Sequence, residues 1–199
     1  MTVTAGGRTK AQWRTAVLRA RRELTPARRR AEANAIRAAL STVVGDGDTI
    51  CAYVPVGSEP GSVDVLDALV AAGARVLLPV ARDDDGTPMQ LTWGVYRSDA
   101  LVDAPFGLRE PAPPHEPPHA IASASLVLVP ALAVDRRGVR LGRGAGYYDR
   151  TLALAGPGAR LCAVVRDEEF VDELPGEAHD VAMTHALTPG RGLFELPQQ

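Results

Sequence analysis

Residues 125–150 read SLVLVPALAVDRRGVRLGRGAGYYDR, and this stretch decides the fold. Its opening run, SLVLVP at 125–130, is the clearest strand pattern in the chain, because it is continuously apolar, short and closed by a proline. A glycine-rich turn follows, and a helix is predicted at 147–155. A buried strand, a turn and a helix in this order are typical of a parallel sheet covered by helices.

The same alternation continues on both sides of this stretch. Apolar residues at three- and four-residue spacing predict two helices before it, beginning at Thr9 and at Thr25 with Pro26. The predicted helices cover 9–24, 25–40 and 63–72, with turn material at 83–88. The predicted strands cover 49–56, 75–79, 89–94, 160–165 and 181–184.

These elements predict an α/β fold: a three-layer, Rossmann-like, mostly parallel sheet flanked by helices, in a single domain over residues 1–199. Residues 1–8 are predicted to be a flexible amino terminus. The segment 104–118 holds six prolines and is predicted to be a long loop without regular structure.

Composition sets the class of protein. With 199 residues and 46% apolar content, the chain can bury a full core without disulfides, so Cys51 and Cys162, which lie in apolar runs, are predicted to be free thiols. No leader opens the sequence and no apolar run is long enough to span a membrane. We therefore expect a soluble, cytoplasmic protein without a membrane partner, and a monomer.

Charge is balanced overall but uneven along the chain. Twenty-two basic and 24 acidic residues give a net charge of −2, whereas the segment 8–30 carries nine basic residues against one acid, Glu23. This segment motivates one alternative, a nucleic-acid-binding protein, although the stripe of Trp13, Val17 and Leu24 needs burial and the chain lacks an aromatic platform. Lys10 is the only lysine, a compact cation in a chain that otherwise uses arginine.

The turn before the predicted helix has the composition of an anion-binding loop. Glycines let backbone amides approach a ligand, the helix starting near Tyr147 directs its positive end to the same place, and Arg140 and Arg143 add bidentate donors for phosphate. The alternative is a mobile surface loop without a ligand, because the glycine spacing matches neither the dinucleotide-binding nor the P-loop fingerprint. The glycines are Gly138, Gly142, Gly144 and Gly146.

Asp149 adds a carboxylate one turn into that helix. Beside bound phosphates it would need a divalent cation, since Mg²⁺ takes one or two carboxylates together with phosphate oxygens. The alternative is that Asp149 only interacts favourably with the positive end of the helix dipole.

Covalent catalysis finds little support, because the GxSxG elbow is missing and neither cysteine has a histidine neighbour. His115 and His119 lie in the proline-rich segment, and zinc is not expected.

Five motifs in chain order resemble the 5-formyltetrahydrofolate cyclo-ligase family. The most specific is RLGRGAGYYDR at 140–150, and the others agree with it along nearly the whole chain. They are KAQWR at 10–14, YVPVGSE at 53–59, PFGLREP at 105–111 and HD at 179–180.

This resemblance implies a ligase that uses ATP and Mg²⁺ to cyclise 5-formyltetrahydrofolate to 5,10-methenyltetrahydrofolate, by phosphoryl activation of the formyl oxygen. It implies catalytic roles for Lys10, Arg143 and Tyr147, and magnesium ligation by Asp149 and Asp180. Folate contacts are implied for Val54, Glu59, Arg143, Gly144, Ala145, Gly146 and Tyr147. ATP contacts are implied for Lys10, Arg14, Arg140, Leu141, Gly142, Arg143, Gly144, Ala145, Gly146, Tyr147 and Tyr148.

Two departures from the family pattern concern the site. Glu59 is followed by Pro60, Gly61 and Ser62 where many relatives carry a polar EVDT-like run, so the contact of a threonine passes to Ser62 or is lost. Ala145 stands where some relatives have lysine or glycine. A second alternative, besides the nucleic-acid-binding protein, is a phosphosugar-binding or isomerase-type domain. Such a domain would use the same anion-binding loop without ATP or metal.

Overall fold

The computed structural model describes residues 7–85, 87–177 and 180–197, and its centre is an eight-stranded sheet. Five strands in the middle of this sheet run parallel, and antiparallel strands close both edges. In spatial order the sheet contains β15 (Gly192–Glu195), β14 (His185–Thr188), β12 (Arg160–Val164), β9 (Leu126–Pro130), β1 (Thr49–Cys51), β2 (Arg75–Val80), β5 (Thr92–Val95) and β8 (His115–Glu116).

In the described residues, shorter strands form three small sheets, and there are four α-helices besides short 3₁₀ turns. One sheet joins β11 (Arg140–Leu141), β10 (Ala133–Asp135) and β13 (Phe170–Val171), and two hairpins pair β3 (Asp83–Asp84) with β4 (Thr87–Pro88) and β6 (Leu101–Ala104) with β7 (Leu108–Pro111). The helices are α1 (Lys10–Arg22), α2 (Pro26–Ser41), α3 (Val63–Ala71) and α4 (Tyr147–Thr151).

The order of the parallel strands creates a switch point between β1 and β9. The chain moves from β1 to β2 on one side, and then returns to place β9, β12 and β14 in succession on the other side. At such a point the connections leave the sheet in opposite directions and open a crevice at the carboxyl ends of the strands. The expected three-layer α/β fold with a mostly parallel sheet is confirmed.

The two faces of the sheet bury separate apolar cores. One face packs against α2 and α3 through residues such as Ile36, Leu40 and Leu66. The other face is covered by 3₁₀ turns at Pro118–Ser123 and Leu152–Leu154 together with α4, so its layer is thinner than two long helices would make it. Cys51 and Cys162 lie buried as free thiols in the strands between them.

Helix α1 lies at the end of the sheet rather than on a face. A capping box of Thr9 and Gln12 fixes its first turn, and its apolar side packs through Val17 on Leu132, Leu141 and the small sheet of β10, β11 and β13. The helix therefore lies beside the residues that follow β9, next to the crevice.

A buried ionic lattice fastens these helices to the sheet. Arg21 of α1 forms a bidentate pair with Glu169, at 2.6 and 2.7 Å, and Arg166 donates to Glu32 of α2 at 2.7 Å. The two pairs meet where the Arg166 backbone amide donates to Glu169 at 2.8 Å. These four residues, which we call the ionic lattice, are all less than 10% exposed.

Two predicted segments differ from the structure. The strand predicted at 49–56 ends at Cys51: the Ala52 amide still donates to the Leu77 carbonyl at 2.9 Å, but from Tyr53 onward the chain leaves the sheet and lines the crevice. The segment 104–118, predicted as an irregular loop, instead contains the second half of the β6–β7 hairpin and β8. Its prolines lie at a turn and at strand ends, where no ladder hydrogen bond is lost.

Three smaller predictions also need correction. The strand predicted at 89–94 begins at Thr92, and the helix predicted at 147–155 stops at Thr151 and continues as a 3₁₀ turn. The last strand, predicted at 181–184, begins at His185, because the Met183 amide bonds to the Gly138 carbonyl in the turn between β10 and β11. The antiparallel edge strand β15 was not predicted. Residues 1–6 of the predicted flexible terminus lie outside the described residues.

Removing one partner of the ionic lattice should strongly destabilise the fold. We expect Glu169→Gln to lower the free energy of unfolding by about 3–5 kcal/mol, because two buried guanidinium groups lose their shared counter-charge. Chemical denaturation measures this change. Asp172→Asn is the control, since its pair with Arg136 is exposed and should contribute less than about 1 kcal/mol. Equal effects of the two substitutions would contradict the importance of the lattice.

Candidate functional site

A cavity of about 410 Å³ opens at the switch point between β1 and β9. Its apolar walls come from the ends of the parallel strands, and its polar wall is the glycine-rich segment 142–146 with the residues beside it. The cavity is lined by Tyr53, Val54, Val56, Glu59, Leu78, Pro79, Ala81, Leu91, Leu108, Arg109, Glu110, Pro130, Ala131, Leu132, Arg140, Gly142, Arg143, Gly144, Ala145, Gly146, Tyr147, Tyr148 and Asp149.

The glycine-rich segment is anchored at both ends. Before it, the buried carboxylate of Asp135 accepts backbone amides from Arg137 and Val139, both at 2.9 Å, and so fixes the turn that leads into β11. After it, Gly146 adopts a left-handed conformation with φ +81° where α4 begins. Only glycine adopts this region without strain, so the entry into α4 depends on it.

Arg14 of α1 braces the middle of the segment. Its Nε donates to the Gly142 carbonyl at 3.0 Å, and its guanidinium lies against Gly144, which has φ +104°. The segment is thus a braced turn joined to α1, in contrast to the free surface loop that sequence alone left open.

Arg140 and Tyr148 line the cavity, and each carries a buried donor without a partner among the described residues. The Arg140 side chain is 7% exposed, pairs with Asp149 through Nη2 at 2.5 Å, and lies over the Tyr148 ring at 5.7 Å. In the part of the chain that the structure describes, Arg140 Nε and the Tyr148 hydroxyl have no partner. Burial, aided by the charge of Glu59, raises the pKa of Tyr148, so its hydroxyl stays a donor.

Lys10 lies at the first position of α1, one turn before Arg14. Its Nζ is 2.9 Å from Glu177 and 3.3 Å from Asp180. Burial works to lower the pKa of Lys10, but the hydrogen bonds to Glu177 and Asp180 outweigh it and the net pKa shift is upward. The ammonium is therefore charged at neutral pH. Residue 179, the histidine of the HD motif, lies outside the described residues.

Glu59 closes the turn after β1 and faces the glycine-rich segment. Its Oε1 accepts from Arg143 Nε at 3.0 Å, while Oε2 accepts the Val56 amide at 3.0 Å. The turn is held from the other side by the Tyr53 hydroxyl, which donates to the Pro60 carbonyl at 2.9 Å. Ser62, the expected substitute for a threonine contact, begins α3 and is not among the cavity's lining residues.

Three cations predicted at the site are each paired with a predicted carboxylate. The pairs are Lys10 with Asp180, Arg140 with Asp149 and Arg143 with Glu59. Lys10, Arg14 and Asp180 join the glycine-rich segment through the Arg14 bond and do not line the cavity itself. Leu141 has its side chain in the core beside Val17, so only its backbone could meet a ligand.

Several lining residues were missed by the sequence reasoning. The Tyr147 hydroxyl donates to Asp83 of the β3–β4 hairpin, and this bond, with burial, raises the pKa of Tyr147. Leu108, Arg109 and Glu110 come from the PFGLREP motif, which was quoted for the family resemblance without site roles. The PFGLREP motif was the sequence signal that could have identified these three residues. No sequence signal pointed to Asp83, because its contact with Tyr147 depends on a two-residue hairpin strand.

The carboxylates suit a hard cation only in combination with a ligand. Among the described residues, no group of three or more histidine, cysteine or acidic side chains is placed to hold a metal ion. Mg²⁺ needs fewer protein ligands when phosphate oxygens and waters complete its shell, so Asp149 and Asp180 fit the chemistry of a metal that arrives with a polyphosphate.

Several arginines of the basic segment 8–30 form ion pairs or hydrogen bonds within the protein. Arg21 is buried in the ionic lattice, and Arg28 pairs with Glu32 at 2.8 Å and Glu168 at 2.6 Å. Arg14 braces the glycine-rich segment.

None of the helices in the described ranges has the length and apolar character that a membrane crossing requires.

Fold and site together define an α/β protein with a glycine-rich, arginine-bearing turn over a cavity at the switch point of its sheet. A profile of the 5-formyltetrahydrofolate cyclo-ligase family matches residues 7–189. The chain is 60% identical over 190 residues to the 5-formyltetrahydrofolate cyclo-ligase of Mycolicibacterium smegmatis, covering 95% of this chain and 98% of that protein. The chain belongs to the 5-formyltetrahydrofolate cyclo-ligase family, and the expected membership of a ligase family is confirmed.

More distant relatives agree. The Escherichia coli K12 5-formyltetrahydrofolate cyclo-ligase is 26% identical over 144 residues, covering 72% of this chain and 79% of that protein. The solved 5,10-methenyltetrahydrofolate synthetase of Aquifex aeolicus matches with a TM-score of 0.75 at 21% identity, over 96% of this chain and 94% of that chain. The one of Mycoplasma pneumoniae matches with a TM-score of 0.65 at 19% identity, over 87% and 94%. These two structures support the fold.

Loss of the Arg14 brace should loosen the glycine-rich segment without unfolding the protein. We expect Arg14→Met to speed hydrogen exchange in peptides covering 141–147, because the Gly142 carbonyl loses its partner, while exchange in β9 stays slow. Hydrogen exchange with mass spectrometry measures both regions. Arg22→Met, at an exposed position of the same helix, is the control. Unchanged exchange at 141–147 in Arg14→Met would show that the brace is dispensable.

Proposed function

We propose that this protein uses ATP and Mg²⁺ to cyclise 5-formyltetrahydrofolate to 5,10-methenyltetrahydrofolate. The observation that carries the proposal is the family's glycine-rich segment, built as a braced turn beside buried Arg140 at the mouth of an apolar cavity. Family membership supports the substrate, and the geometry supports a polyphosphate on one side of the site with a flat organic molecule on the other. ATP serves as co-substrate.

In this proposal the triphosphate lies on the glycine-rich segment. Backbone amides from Gly142 to Gly146 approach it closely, and Arg140 and Arg143 supply bidentate donors. The buried Arg140 Nε supports this role, since it has no acceptor among the described residues and a buried donor left without one is costly. Lys10 and Arg14 contribute charge from α1, with Leu141 and Tyr148 as backbone and ring contacts.

Asp149 and Asp180 would hold the magnesium ion together with the phosphates. The metal would neutralise charge on the triphosphate. In the described structure each carboxylate is held by a cation, Arg140 or Lys10, and binding would let these cations turn to the phosphate oxygens. Each carboxylate would then face the magnesium ion, and each cation would face phosphate oxygens.

The folate would occupy the apolar cavity. Its pterin is flat and the walls from Val54, Leu78, Pro79 and Pro130 are apolar, while Glu59 and the backbone of the glycine-rich segment supply polar contacts at one side. This arrangement would bring the formyl group next to the phosphates, as the reaction requires. Burial that displaces water would also protect an activated intermediate from hydrolysis.

The chemistry requires activation of a formamide, whose oxygen is a poor leaving group. The terminal phosphoryl group of ATP passes to the formyl oxygen and ADP is released. The amine nitrogen at position 10 then attacks the activated carbon, its proton leaves, and phosphate departs with the former formyl oxygen. Lys10 and Arg143 would follow the charge on the transferring group, and Tyr147 would orient it.

No protein nucleophile takes part in this scheme, and the state of the cysteines agrees with that. Burial raises the pKa of the Cys51 thiol to about 12 and raises the pKa of Cys162 as well. Both stay protonated and shielded at neutral pH, so they are poor nucleophiles. Cytoplasmic location and a monomeric state stay predictions, as do all the individual residue roles.

Product-coupled turnover tests the proposed function. We expect ADP release to require both Mg²⁺ and 5-formyltetrahydrofolate, and to match formation of 5,10-methenyltetrahydrofolate mole for mole, because the phosphoryl group transfers only to the formyl oxygen. A coupled assay for ADP and the product's own absorbance measure the two rates. Absent hydrolysis, or hydrolysis that ignores the folate, would sink the proposal and favour a phosphate-binding domain of another kind.

Lys10 should be needed for turnover but not for folding. We expect Lys10→Arg to lower kcat about tenfold or more, because a planar guanidinium cannot replace a compact ammonium beside a moving phosphoryl group, with the thermal midpoint nearly unchanged. Steady-state kinetics and thermal unfolding measure both quantities. The control is Arg19→Lys, at an exposed position on the same helix. Equal kcat in Lys10→Arg and the parent protein would contradict the role.

A further inference from the structure

Three arginines line the cavity, and one of them is uncommitted. Arg140 is paired with Asp149 and Arg143 with Glu59. Arg109 has no carboxylate within 4.0 Å anywhere in the described ranges of the chain, although the residue lines the same cavity. It is also exposed, whereas the Arg140 side chain is buried, so it lies at the solvent side of the cavity.

The strand that carries Arg109 is firmly held. Glu110, the next residue, is buried and accepts the Ala81 amide at 3.1 Å and an Arg82 Nη1 hydrogen at 2.9 Å. Strand β7 pairs with β6 over its whole length, from Leu101 with Pro111 to Ala104 with Leu108. The backbone at Arg109 is therefore fixed relative to the end of β2, and only its side chain needs to order on binding.

The residue opposite Arg109 does not satisfy it. Asp103 is its cross-strand neighbour in the register of β6 and β7, and it is exposed as well. Directly opposite residues of an antiparallel pair share one face, so an ion pair would be available there. The two side chains nevertheless stand beyond 4.0 Å, so Arg109 has no carboxylate partner among the described residues.

We propose that Arg109 is a specificity residue that binds a carboxylate of the substrate's glutamate tail. This inference rests on the proposed function, because the tail belongs to the folate. The reacting pterin is uncharged and suits the apolar interior, whereas the two glutamate carboxylates must stay near water. A guanidinium at the rim offers a planar pair of donors that matches one carboxylate.

The assignment separates recognition from chemistry. Arg109 would contribute to affinity for the folate, equally in the ground state and in the transition state, because the tail does not change during the reaction. Uniform binding of this kind alters KM and leaves kcat unchanged. It should also be sensitive to salt, since the pair forms at an exposed position.

The test combines variants of Arg109 with a substrate that lacks the tail charges. We expect Arg109→Gln to raise the KM for 5-formyltetrahydrofolate about three- to tenfold, and Arg109→Glu to raise it further, with kcat and the KM for ATP unchanged. The matched control is Arg97→Gln, an exposed arginine just after β5 that does not line the cavity. Equilibrium binding of 5-formyltetrahydrofolate without ATP should show the same factor.

The second substrate is 5-formyltetrahydrofolate with both glutamate carboxylates converted to amides. The parent protein should bind it as weakly as Arg109→Gln binds the acid, and Arg109→Gln should bind acid and diamide alike, as a double-mutant cycle requires. Equal losses for acid and diamide on mutation, or no loss for the acid, would overturn the inference while leaving the proposed function intact. A parent protein that neither binds nor turns over 5-formyltetrahydrofolate would remove both.

Discussion

The ionic lattice of Arg21, Arg166, Glu32 and Glu169 is the constraint on which the site depends. It joins α1 and α2 to the carboxyl end of β12, and its outer hydrogen bonds continue to the cavity: Arg21 reaches the Ala131 carbonyl at 2.7 Å and Arg166 the Ser58 carbonyl at 3.0 Å. Ala131 lines the cavity and Ser58 precedes Glu59. Buried pairs gain little net stability against an apolar core, but they tolerate very few geometries, so they can set positions that apolar packing leaves free.

Helix α1 connects the ionic lattice, at its last turn, to the candidate site, at its first two turns. Arg21 anchors the last turn of the helix, while Lys10 and Arg14 project from its first two turns toward Asp180 and the glycine-rich segment. Helix α1 therefore helps to fix the position of the glycine-rich segment relative to the sheet, as β10 and β11 also do. A turn braced in this way can present several backbone amides together, which a glycine-rich loop alone would do only at a cost in conformational entropy.

Sequence reasoning reached the parallel sheet, the glycine-rich turn and its cations because each depends on local pattern: apolar runs, glycine spacing and residue type. It missed the β6–β7 hairpin, since six prolines in 104–118 outweighed pairing that only the register reveals. It also missed the ionic lattice, because the partners in its two ion pairs, Arg21 with Glu169 and Arg166 with Glu32, are more than a hundred positions apart. Asp83 and Arg109 belong to the same class, because neighbours brought in by tertiary pairing give them their surroundings.

The pairing of Lys10, Arg140 and Arg143 with carboxylates has a further consequence. An anionic ligand would have to compete with carboxylates that the protein already provides, at least one for each of these cations. A monoanion such as chloride could displace only one of them and would leave its carboxylate stranded, whereas a polyanion that brings its own countercharge could exchange all three at once. Selectivity against the abundant small anions of a cell would then follow from the resting arrangement itself.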